Sequence, residues 1–161
     1  MKIIILILSL LLLLAGCAPI VFPTFLATFP PGKDNKDVMS AIVMTLAEND
    51  ISVSVINTDV GMITTEPFLV TPNSEQAFNV FLTGLPFKQT MKLTIIVDQA
   101  KNQIMIKPYK QQQGQYGWQD ISLDEGDEDL IHELKSSIAK KIGATPATGG
   151  TPNDTKWNSK F

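Results

Sequence analysis

One thiol and one imidazole are all that 161 residues offer as cysteine or histidine chemistry: Cys17 and His132. Cys17 follows, after Gly16, on an apolar run, residues 3–15, broken only by Ser9. Its thiolate is the reactive form, and with no second cysteine the chain can close no internal disulfide. His132 stands among acids and off the apolar face formed by Ile131, Leu134 and Ile138. A serine–histidine–aspartate site would have to use it, and nothing beside it favours that geometry, so it reads as a solvated surface residue. The acidic run "DEGDED", residues 124–129, invites a calcium loop. With Asp120 at the first position, however, Glu125 falls where glycine is required and Ile131 where the bidentate glutamate belongs. The run reads instead as a helix start stabilised by negative charge. No CxxC, HExxH, GxGxxG, GxSxG or phosphate-loop pattern occurs. No catalytic, metal or cofactor-binding residue is therefore assigned, and the chain reads as a non-enzyme. What remains is "YGWQ", where Tyr116 and Trp118 lie beside glycine. They are candidate partner contacts, because each ring is apolar at one end and can hydrogen-bond at the other. The competing reading folds Trp118 back over the domain.

The apolar run is too short to span a bilayer, which takes ~20 residues. It suits a secretory signal with Lys2 as its basic start. Leu14, Ala15, Gly16 and Cys17 resemble the lipobox of bacterial lipoproteins. The resemblance implies cleavage after residue 16 and a thioether from the Cys17 thiolate to diacylglycerol. Each buried methylene contributes about 0.8 kcal/mol and one chain anchors only marginally, so two or three chains would hold the domain at a membrane. Ala18, not aspartate, follows the cysteine. In a Gram-negative cell this implies the outer membrane, facing the periplasm.

All thirteen basic residues are lysine, and the formal net charge is −3. Nucleic-acid binding, which uses a basic face and bidentate guanidinium contacts, is disfavoured. Residues 17–33 contain four prolines and read as a tether with an edge strand at 24–28. Asp34 is a good N-cap for a helix over 35–49, whose Val38, Met39, Ile42, Val43 and Leu46 share one arc. The period then becomes two. Ile51, Val53 and Val55 are expected to face inward, with a turn over 57–61 and a return strand over 62–66 ended by Pro67. Residues 68–89 read as a short helix or an ordered loop. Met91, Leu93, Ile95 and Val97 alternate with more polar neighbours, a turn follows at 99–102, and a partner strand covers 103–109. A short extended piece falls within 118–123. The last helix, 126–142, carries Ile131, Leu134, Ile138 and Ile142 and stops at Gly143. Residues 144–161 read as a disordered tail.

The fold class expected is α+β: an antiparallel sheet of two hairpins, with an added edge strand, one face under two helices. One domain spans 34–143. The stretch "AIVMTLAENDISVSVINTDVGMITTE" resembles the BamC-like envelope lipoproteins, accessory parts of the outer-membrane barrel-assembly machinery. That resemblance implies a non-catalytic scaffold or accessory subunit contacting other envelope proteins. A lipid- or small-ligand-binding lipoprotein is the alternative, and an enzyme ranks last. Cys17→Ser should abolish metabolic incorporation of labelled fatty acid; labelling of the variant at the wild-type level would refute the anchor.

Overall fold

Alternation decides the centre of the molecule. In β5 (Gln89–Asp98), Met91, Leu93, Ile95 and Val97 are buried while the intervening residues are not. The neighbouring β6 (Gln103–Gly114) pairs with β5 antiparallel over ten residue pairs and buries Ile104, Ile106, Pro108 and Lys110 on the same face. The computed structural model describes residues 20–71, 88–114 and 117–143. The signal segment with Cys17, residues 72–87 of the 68–89 helix-or-loop reading, Tyr116 and the tail from 144 lie outside the described residues, whereas Phe68–Val70 of that reading is a strand, because it finds a free edge to pair with.

Two further strands complete one side. β1 (Phe25–Thr28) pairs with Gln103, Ile104, Met105 and Ile106 of β6, as an edge strand. β7 (Gly117–Asp120) pairs with the far end of the same strand. On the other side of β5 lie β3 (Met62–Thr65) and β4 (Phe68–Val70), and β2 (Val53–Asn57) pairs with β3. The spine of this seven-stranded sheet runs β1-β6-β5-β3-β2, with β4 beside β5 and β7 beside β6. Every strand pair is antiparallel.

Two helices cover the inner face. α1 (Asn35–Glu48) is capped by Asp34 and buries Val38, Met39, Ala41, Ile42, Thr45 and Leu46. Asp50 takes positive φ just beyond it, so the chain reverses and the Ile51 N–H returns to the Leu46 carbonyl. α2 (Glu125–Lys141) buries Ile131, Leu134 and Ile138, and Gly143 follows at φ +72°. These side chains and the inner residues of β3, β5 and β6 form one core cluster.

Two bulges correct the strand readings. Val53 pairs with Thr65 but Val55 with Thr64, so one extra residue lies between them on β2. Side chains alternate, and the insertion moves Val55 to the outer face, where it is 46% exposed; Ile56 takes the inner register opposite Ile63. Pro67 likewise does not end its strand. Thr64 pairs with Thr94 and Phe68 with Met91, so three residues face two, and the chain resumes as β4. The Leu93 N–H left over at this break donates to Thr65 Oγ1 at 2.9 Å, inside the protein. In the 57–61 turn, Asn57 Oδ1 accepts from the N–H groups of Asp59 and Val60. Gly61 then adopts φ +65° with its Cα against the Val97 carbonyl, where an added Cβ would lie 2.7 Å away.

The faces can be tested by one charge placed on each. Ile95→Asp buries an unpaired carboxylate and should cost about 4 kcal/mol or more in urea unfolding. Val55→Asp should cost under about 1 kcal/mol, because its carboxylate stays in water.

Candidate functional site

The period of β6 carries a lysine into the core. Lys110 follows Ile104, Ile106 and Pro108 at intervals of two, and it has 0% exposure. Its Nζ donates to Asp124 Oδ2 at 2.9 Å and to Asp127 Oδ2 at 2.5 Å. The two carboxylates also close a capping box. Asp127 N–H donates to Asp124 Oδ1 at 3.1 Å, and Asp124 N–H donates to Asp127 Oδ2 at 2.8 Å. The acidic start expected of the last helix is therefore present, and two of its acids have a buried partner. Burial pushes the Asp124 carboxyl upward, but the Lys110 hydrogen bond and charge, with the Asp127 N–H, outweigh it and leave the group below its ordinary value of 3.8. The Ile121 N–H donates to the Lys110 carbonyl, which ties the segment before α2 to the same point of β6.

Among the described residues no helix lies on the other face of the sheet. Pairing registers place Leu26, Met105, Ile96 and Met62 side by side on β1, β6, β5 and β3, each half-buried. The next row is Lys107, Thr94, Thr64 and Val55. Further along, Tyr109 pairs with Lys92, then Asp120, Gln111, Thr90 and Leu69 form a row, and Trp118 pairs with Gln113. The face thus grades from an apolar row to an aromatic end. At ~3.3 Å per residue, eight positions from Met105 to Gln113 put roughly 26 Å between the two ends.

At the aromatic end Tyr109 Oη donates to Asp120 Oδ1 at 2.5 Å, and Gln111 Nε2 donates to both, at 2.9 and 3.0 Å. The bond to Asp120 raises the tyrosine above its ordinary 10, helped by loss of water and the nearby negative charge and opposed by Gln111. The bonds from Tyr109 and Gln111 hold Asp120 below 3.8 against a smaller effect of lost water. This network fixes the tilt of the phenol ring, which the Phe22 ring meets edge-on with centroids 5.2 Å apart.

Trp118, a candidate contact from the sequence, is 47% exposed on this outer face. Its companion Tyr116, and Cys17, expected from the sequence to take the lipid, lie outside the described residues. His132 is exposed on α2, and its ring meets Phe25 edge-on at 5.5 Å. Among the described residues no group of three His, Cys, Asp or Glu side chains could hold a metal ion, and no helix is long and apolar enough to cross a membrane. Sequence reasoning missed Lys110. Its signal was parity, since the alternation that buries Ile104 and Ile106 also points Lys110 inward.

No protein-family model matches the chain, and no curated protein matches it. Among solved structures it is similar to a DUF4468 family protein from Bacteroides ovatus. The two share 10% identity over 83% of this chain and 95% of that one, with a TM-score of 0.47.

Lys110→Met leaves Asp127 buried and unpaired, and should cost about 3–5 kcal/mol in urea unfolding. The pH dependence has a defined sign. Because the folded-state value of Asp124 is lowered, its contribution is complete above about 3.8 and is lost as pH falls through the lowered value. In Lys110→Met burial acts without the lysine, so acid destabilisation should begin at higher pH than in the wild type. Superimposable acid limbs would show that the pair contributes nothing.

Proposed function

We propose that the chain is a lipid-anchored envelope lipoprotein that works without catalysis, as a scaffold or accessory subunit contacting other envelope proteins. The lipobox-like Leu14, Ala15, Gly16 and Cys17 support the anchor, and the BamC-like stretch supports the accessory role. One observation carries the contact surface: the row of Leu26, Met105, Ile96 and Met62 on a sheet face that no helix among the described residues covers. Four apolar side chains across four adjacent strands make a flat strip, and desolvating such a strip is what a protein partner can do with few polar contacts. The chain has no arginine for a bidentate clamp on phosphate or carboxylate, which leaves packing as the main source of affinity.

A photo-crosslinking residue at Ile96 should capture a discrete envelope protein in intact cells, and the same residue at Glu128, exposed on α2, should not. Ile96→Lys should weaken that capture by ~2 kcal/mol while leaving the circular dichroism native. Absence of adducts at both positions, together with a lipid co-purifying with the gently extracted protein, would favour the ligand-binding alternative instead.

A further inference from the structure

The aromatic end of the outer face lies where the anchor attaches. Three peptide links separate Cys17 from Ile20, a reach of at most about 11 Å, and five separate it from Phe22. Phe22 is seated on Tyr109. A lipid on Cys17 therefore has no long tether on which the domain could float clear of the bilayer. From Phe25 onward β1 runs away from this end, toward its last pair, Thr28 with Gln103.

Exposed apolar side chains collect at the same place. Among the described residues nine large hydrophobic side chains are exposed, and five of them, Ile20, Val21, Leu69, Tyr109 and Trp118, belong to this end. Val21 is 84% exposed and Leu69 70%. Tryptophan and tyrosine favour the headgroup level of a bilayer, where the ring is in an apolar layer and its polar atom is wet. The Tyr109, Gln111 and Asp120 network supplies polar groups at that level. Lys88 and Lys92 are exposed alongside. The acidic first turn of α2 stands on the opposite, helix-covered side of the sheet.

We propose that the end of the outer sheet face bearing Tyr109, Trp118 and Leu69 rests in the interfacial layer of the membrane that holds the Cys17 lipid. This deepens the anchored-scaffold reading and rests on it. The apolar row around Ile96 is then held roughly 13 Å from Tyr109 and about 26 Å from Trp118 along the strands, available to a protein. Attachment is by apolar insertion rather than by charge, since the chain is net acidic.

The test uses full-length lipidated protein carrying Trp157→Phe, so that Trp118 is the sole tryptophan, in vesicles of phosphatidylethanolamine and phosphatidylglycerol. Its emission should be quenched by phospholipids brominated near the glycerol end of the acyl chain, less by bromines at the chain terminus, and equally at low and high salt. Trp118→Phe with Trp157 retained should lose that quenching. Intact mass reports the Cys17 lipid separately. A lipidated protein whose Trp118 is indifferent to bromine, or undiminished quenching from Trp157 alone, overturns the orientation while the anchor stands. A protein without lipid on Cys17 overturns both.

Discussion

A lysine ammonium taken fully out of water must find its compensation nearby, and the arrangement around Lys110 follows from that requirement. Two carboxylates meet it, and both belong to the first turn of α2, where negative charge is already favoured by the helix dipole. The same oxygens satisfy backbone N–H groups that the start of the helix would otherwise leave bare. One cation thus sets where α2 begins, and the apolar face of Ile131, Leu134 and Ile138 then falls on the core. Because the pair forms from β6, whose opposite face carries Tyr109 and Gln111, the covered and uncovered sides of the sheet are both referred to a single strand.

Much of this was legible in the sequence, because local and long-range preferences agree. Asp34 caps its helix as its type suggests, acids crowd the start of the last helix as expected, and Asp50 and Gly143 take the left-handed conformations that end the two. The four inward residues of β5 obey simple alternation. Where the reading failed, the deciding partner was remote. Val55 faces outward because of how Ser52 to Asn57 pairs with the following strand, and no feature of "VSVIN" announces the inserted residue. Pro67 marks a break, but whether a chain resumes after proline depends on the unpaired edge of β5 that Phe68 to Val70 finds. The polar end of β6, Gln111 to Gly114, lacks any strand period and is held by its neighbours on both sides.

The outer face was harder to foresee than the core. Side chains such as Ile96 and Met105 alternate with buried ones and so read as solvent-facing positions. Their significance appears only when register lines them up across four strands. Trp118 stood out by type, and its position at the end nearest Phe22 gives that type a setting. The anchored reading and the graded face fit together because the tether enters at one end of the strands and the apolar strip lies at the other.

The inserted residue in β2 has a consequence for solubility. β2 is an outermost strand, and its sequence, Val-Ser-Val-Ile-Asn, contains none of the lysines or prolines that commonly keep such strands from recruiting another chain. Val55 and Ile56 are both exposed, on opposite sides of it. A straight strand of this composition would be a template for uncontrolled stacking of one molecule on the next. The irregular spacing between Val53 and Val55 spoils the hydrogen-bond repeat that such stacking requires. The kink acts as the molecule's guard against itself.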